Sequence, residues 1–92
     1  MNKSGLIEAI SQETNLPQRE ACAVINTILD LMTETLANGD SIELRGFGSF
    51  VVKEYKSYQG RNPKTGQKIK VPPKKLPFFK VGKELKERVN SQ

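Results

Sequence analysis

Apolar residues along the first third of the chain recur at helical spacing, in two runs. Leu6, Ile7 and Ile10 follow Asn2, a residue suited to capping a helix, and predict a short first helix. Gly5 stands where the acid of a capping box would help, which weakens that end. Thr14-Asn15-Leu16-Pro17 breaks the run. Pro17 suits the opening of the next helix, where its missing N–H costs nothing, and Glu20 falls in a first turn whose dipole favours an acid. From about Gln18 to Ala37, the residues Ala21, Val24, Ile25, Ile28, Leu29, Met32 and Leu36 form a broad apolar stripe, with Met32 read as core packing. The stripe is wider than one short helix can cover. A second chain's helix is its expected neighbour. Gly39, within Asn38-Gly39-Asp40, is placed to end the helix in a left-handed conformation.

Beyond Asp40 the period changes to two. Ile42-Glu43-Leu44 alternates as a strand, Arg45-Gly46-Phe47-Gly48 is a tight connection, and a second strand runs from Ser49 to about Gln59 with Phe50 and Val52 on one face. Phe47 is expected to join them through the irregularity its flanking glycines allow. After Lys53 the apolar face disappears. Asn62-Pro63 suits a type I turn that Gly66 can close with positive φ, and a return strand alternates Ile69 and Val71 with Lys68 and Lys70. Pro72-Pro73 belongs on an edge, because proline cannot donate to a ladder. Leu76, Phe78 or Phe79, and Val81 lead back to the body, and a last helix follows Gly82, with Leu85 and Val89 inward.

Charge changes this picture from a plain α+β domain to one with a polyanion-facing arm. Residues 53 to 75 carry eight basic side chains against Glu54 alone, a net +7 in a chain whose total is only +5. The first 44 residues are net −5 and the remainder net +10, so the positive charge is gathered on one part of the chain. A ribbon so basic and so poor in apolar residues must project into solvent, and its target is a polyanion. With roughly a quarter of the 92 residues in that arm, the rest is marginal for a core of its own, which predicts an intertwined, two-fold dimer.

Composition also narrows the chemistry. The chain has one cysteine and no histidine, so an internal disulfide is excluded and a zinc site is not expected. Cys22 sits among apolar residues and reads as a small buried hydrophobe rather than a reactive thiol. No residues assemble a nucleophile with a base, so no enzyme, cofactor or small-molecule substrate is expected. No signal peptide or membrane span is apparent, and a reducing cytoplasmic compartment is the expected setting.

Three motifs, in this order, closely resemble the HU and integration host factor family of bacterial DNA-bending proteins. They are Gly46-Phe47-Gly48-Ser49-Phe50, the tip Gly60-Arg61-Asn62-Pro63-Lys64-Thr65-Gly66, and Phe79-Lys80-Val81-Gly82-Lys83-Glu84-Leu85. The resemblance spans essentially the whole chain. Ile42 to Phe50, with Arg45 where HU usually has an uncharged residue, looks closer to the β subunit of integration host factor. Val81 in place of a proline and Gly5 in place of an acid depart from the family pattern. The resemblance implies one domain over residues 1–92: a helical base at about 2–39, a β-sheet saddle and arm at about 41–81 with the arm at 53–75, and a C-terminal helix at about 83–90. It implies an intertwined dimer whose two β-ribbon arms reach around duplex DNA in the minor groove, on the nucleoid.

Site residues follow from these two readings together. Pro63 is the candidate intercalating wedge, a rigid ring without an N–H to strand between base pairs; on residue type alone a plain turn proline is an equal alternative. Arg61, with Asn62 and Lys64 beside the wedge, is expected in the minor groove. Arg45 is the candidate for sequence preference, against the alternative of a solvated hairpin charge or a partner for Glu43. Lys53, Lys56, Lys68, Lys70, Lys74 and Lys75 are phosphate contacts along the arm, with Lys64 able to share that role, and Lys3, Lys80, Lys83 and Lys86 on its flanks. The resemblance implies the N-termini of the first and last helices as phosphate sites, and Tyr55 and Tyr58 pack across the ribbon or stack on sugars. The partners expected are double-stranded DNA and a second copy or a related subunit. The rival reading is a dimeric basic-arm module that engages RNA or an acidic protein.

Overall fold

The computed structural model describes residues 1–91 and divides the chain into two units, Met1–Thr35 and a second from Leu36 onward. The first holds α1 (Lys3–Thr14) and most of α2 (Gln18–Ala37). Asn2 caps α1 through its side-chain oxygen, which accepts from the Gly5 N–H at 2.8 Å and from the Ser4 hydroxyl at 2.9 Å. A cap of this kind is worth about 1 kcal/mol. Asn15 ends α1 in the left-handed region at φ 59°, and the Ser11 hydroxyl donates to the Leu16 carbonyl at 2.6 Å.

The α2 helix starts one residue after Pro17, whose carbonyl accepts from the Glu20 and Ala21 N–H groups. Its threonines do not break it. Thr27, Thr33 and Thr35 each turn their hydroxyl back onto a carbonyl four residues earlier. Of the predicted stripe only Ala21 and Ile25 are buried, while Val24, Leu29 and Ile28, the last half exposed at 50%, face outward. Leu31, outside the stripe, is exposed as well.

The second unit is built on antiparallel strands: β1 (Ile42–Leu44), β2 (Gly48–Tyr55), β3 (Tyr58–Arg61), β4 (Lys68–Val71) and β5 (Lys74–Val81), followed by α3 (Lys83–Asn90). A three-stranded sheet has the order β1-β2-β5, and β3 and β4 pair as a separate ribbon. The sequence predicts one strand through to Gln59; the structure interrupts it at Lys56 and Ser57. Opposite the interruption lie Pro72 and Pro73. Pairing runs Tyr55↔Lys74 on one side of the gap and Tyr58↔Val71 on the other, so the register is kept across it. Two rungs are missing there; only one of two consecutive residues turns its N–H to the partner strand, so one of the prolines withholds a ladder donor at this point.

Register assigns the aromatic residues to faces. Phe50 opposes Phe79, with ring centroids 4.8 Å apart, and Phe47 lies 5.6 Å from Phe79. Gly48 lies under this cluster; a Cβ there would come within 2.6 Å of the Phe79 ring. Phe78, one residue earlier, projects from the opposite face. The start of α3 is tied to the tight connection: the Gly82 N–H donates to the Phe47 carbonyl at 2.8 Å and the Leu85 N–H to that of Gly46 at 3.1 Å.

Candidate nucleic-acid interface

Strand alternation sorts the basic residues of the second unit into faces. On β2 and β5 the face opposite Phe50 and Phe79 carries Lys53, Lys74 and Lys80, interleaved with Val51, Tyr55, Leu76 and Phe78. On the ribbon one face carries Gln59, Arg61, Lys68 and Lys70, and the other gathers Tyr58, Ile69 and Val71 around Gly60. With the register kept across the proline gap, the basic residues of the sheet and of the ribbon share one strand parity. In pairing order toward the tip they form a basic row of Lys80, Lys53, Lys74, Lys70, Lys68 and Arg61.

Aromatic neighbours hold part of that row. The Lys53 ammonium lies 3.6 Å from the centre of the Phe78 ring, and Lys74 lies 5.7 Å from that of Tyr55. Both distances fall within cation–π range, the Lys53 contact being much the closer. Lys75 is placed differently. It opposes Glu54 on the Phe50 face and pairs with it at 3.5 Å, the one ion pair among the described residues. Lys56 lies in the interruption and is exposed.

The tip is a compact loop between β3 and β4. The Asn62 N–H donates to the Gln67 carbonyl at 2.9 Å, and the Asn62 carbonyl accepts from the Gly66 N–H at 2.7 Å. Gly66 sits at φ 70°, where a side chain would be strained. The Asn62 side-chain oxygen accepts from the Lys64 N–H at 2.9 Å, forming an Asx turn that brackets Pro63. Pro63, Arg61 and Lys64 are exposed, while Asn62 is half-buried. Of the predicted tip residues, Asn62 is thus the one used inside the loop.

The remaining candidates are dispersed and solvent-facing. Arg45 is exposed in the connection between β1 and β2, and no ion pair with Glu43 forms. Lys83 and Lys86 are exposed on α3, and Lys3 opens α1 in the first unit, also exposed. The N-terminal N–H groups of the helices are partly spoken for, since Asn2 takes that of Gly5 and the Gly46 carbonyl that of Leu85. Phe78 and Tyr55 as supports for lysines escape a reading by residue type; the signal was strand parity, which puts them opposite Phe50. Among the described residues no group of His, Cys, Asp or Glu is clustered to hold a metal, and no helix is long and apolar enough to cross a membrane.

This arrangement has known counterparts. The chain is 51% identical over 92 residues to the integration host factor subunit beta of Halorhodospira halophila, covering 99% of this chain and 90% of that one. It is 45% identical over 89 residues to DNA-binding protein HU-1 of Halalkalibacterium halodurans, covering 97% and 99%. Its fold matches an Anabaena HU–DNA cocrystal structure with a TM-score of 0.88 and 37% identity over 100% of both chains. The family model described as "Bacterial DNA-binding protein" matches residues 1–90, and on these findings the chain belongs to the bacterial DNA-binding protein family of HU and integration host factor.

Proposed function

We propose that this architectural, non-enzymatic DNA-binding protein acts as a dimer that lays two ribbons along the minor groove of duplex DNA and bends it by inserting Pro63 between base pairs. The observation that carries the reading is the placing of Pro63: exposed at the apex of a ribbon, with Arg61 and Lys64 beside it and one basic face leading up to it. Minor-groove architectural proteins, a class whose general description already includes HU and integration host factor, insert apolar wedges at a cost of about a few kcal/mol per unstacked step. The bent duplex offsets that cost by bringing more phosphates to the protein.

In this reading Lys53, Lys68, Lys70, Lys74 and Lys80 face phosphates as a row, Lys56 and Lys75 reach them from the side, and Lys3, Lys83 and Lys86 extend the contact on the flanks. Arg61 and Lys64 enter the minor groove with the wedge, and Asn62 holds the turn that carries it. Arg45 supplies sequence preference from the saddle, within a code that separates A·T from G·C best. The exposed half of the α2 stripe, with Val24, Ile28 and Leu29, supports dimerisation, since so much apolar surface on one helix calls for a partner. That partner is a second copy or a related subunit, and the setting is the bacterial nucleoid.

A second reading, HU-like packaging without site selection, is supported by the 45% identity to HU-1 of Halalkalibacterium halodurans. The test is affinity of the purified chain for a panel of defined duplexes against random DNA, after its oligomeric mass is measured. A dimer with a large ratio supports selection through Arg45, and a ratio near one supports packaging. Preference for an RNA duplex over nicked DNA would contradict both, because the A-form minor groove is wide and shallow.

A further inference from the structure

We propose that Asn62 is a positioning residue for the Pro63 wedge, acting inside the turn rather than on a base; the inference rests on the bending reading above. Three hydrogen bonds converge on it. Its N–H donates to Gln67, its carbonyl accepts from Gly66, and its side-chain oxygen accepts from Lys64 at 2.9 Å. The last of these spans the proline. Lys64 carries the first backbone donor after Pro63, so tying it to the Asn62 side chain fixes the backbone on both sides of the ring. The Thr65 hydroxyl then accepts from the Gln67 N–H at 3.3 Å, bracing the return side of the loop.

Burial agrees with this division of labour. Arg61, Pro63 and Lys64 are exposed, whereas Asn62 is half-buried among the groups it bonds. A wedge is effective only if it arrives already aimed, because ordering a loose loop at the moment of binding subtracts from the affinity available to unstack the bases. The Asx bond does that ordering in the free protein. The minor-groove floor presents mostly acceptors, which only the Asn62 amide Nδ2 can meet as a donor, and this gives the rival role a sharp signature: a groove-reading asparagine needs the nitrogen, a positioning one needs the oxygen.

The full chain is tested as Asn62→Ala, Asn62→Ser, Pro63→Ala and the Asn62→Ala/Pro63→Ala double variant, on an end-labelled duplex whose bend is read by fluorescence transfer. Serine keeps an acceptor for the Lys64 N–H and lacks the amide nitrogen. The inference predicts that N62A loses most of the bend that P63A loses, that N62S bends like the parent, and that the double variant bends no less than P63A. It also predicts that hydrogen exchange at the Lys64 amide quickens in N62A and not in N62S, with DNA absent. Serine failing as alanine does, full bending by N62A, an unchanged Lys64 exchange rate in N62A, or a double variant weaker than P63A would each overturn it. Full bending by P63A would overturn the wedge reading itself, a separate result.

Discussion

The Lys53 ammonium rests 3.6 Å above the ring of Phe78, a diagonal neighbour on the adjacent strand and on the face away from Phe50 and Phe79. Lys53 is the only half-buried lysine of the basic row; the others are exposed. An interaction of this kind at a partly exposed site is worth about 0.5–1 kcal/mol, which corresponds to about 2- to 5-fold in binding if it pre-sets the charge for a phosphate. Phe78→Leu is therefore expected to weaken duplex binding by that factor, and Phe78→Tyr to restore it. In a Lys53→Met background the Phe78→Leu effect should vanish. Fluorescence anisotropy over the four-variant cycle measures the coupling, and an undiminished Phe78→Leu effect without Lys53 would show that Phe78 acts through the sheet alone.

Glu54 is the one acid in the arm, and it spends its charge on Lys75 at 3.5 Å. Both side chains are about 70% exposed, so the pair contributes little to folding, about 0–1 kcal/mol at most. Its expected effect is on binding instead. Glu54→Gln should leave the melting temperature nearly unchanged, raise affinity for duplex DNA, and steepen log K against log[salt] by up to about 0.9, the increment for one more neutralised phosphate. A slope and an affinity both equal to the parent's would mean that Lys75 never reaches DNA.

The two rungs lost opposite Pro72 and Pro73 separate the sheet from the distal ribbon while keeping its register. Valine at both positions restores the missing N–H groups and adds β-branched side chains suited to a strand. Amide hydrogen exchange should then slow at the one of Lys56 and Ser57 whose N–H faces the partner strand and at the residue opposite it, with Tyr58 to Val71 following as the ladder becomes continuous. Exchange at these amides as fast as in the parent chain would show that something other than the prolines sets the gap.

Much of this was written in the sequence, for reasons that are local. Both ends of α2 follow from Pro17 and Gly39, the α1 cap from Asn2, and the tip from Asn62-Pro63 with Gly66, because each depends on a backbone preference carried by the residue itself. Charge likewise reads directly, and the basic stretch it marks contains the β3-β4 ribbon together with the adjoining ends of β2 and β5. What did not read directly depends on pairing across the chain. Phe78 and Phe79 are equivalent as letters and are told apart only by which of them opposes Phe50, a matter of register between strands far apart in sequence. The same register puts Lys75 against Glu54 and Lys53 beside Phe78. The prolines announced an edge, and β5 is one, but the place where the ladder fails emerges only once Lys56 and Ser57 are known to face them. Asn62 was assigned to the groove by its neighbourhood, while its side-chain oxygen closes an Asx turn, the behaviour its position before a proline favours.

The central claim is that Pro63 makes the bend, and the most direct measurement is the end-to-end fluorescence transfer of a short labelled duplex bound by the parent chain and by Pro63→Ala, each at saturation. A marked fall in transfer with affinity reduced far less is the predicted result, since Pro63→Ala leaves every lysine of the basic row in place. Equal transfer from the two complexes at saturation would contradict the account.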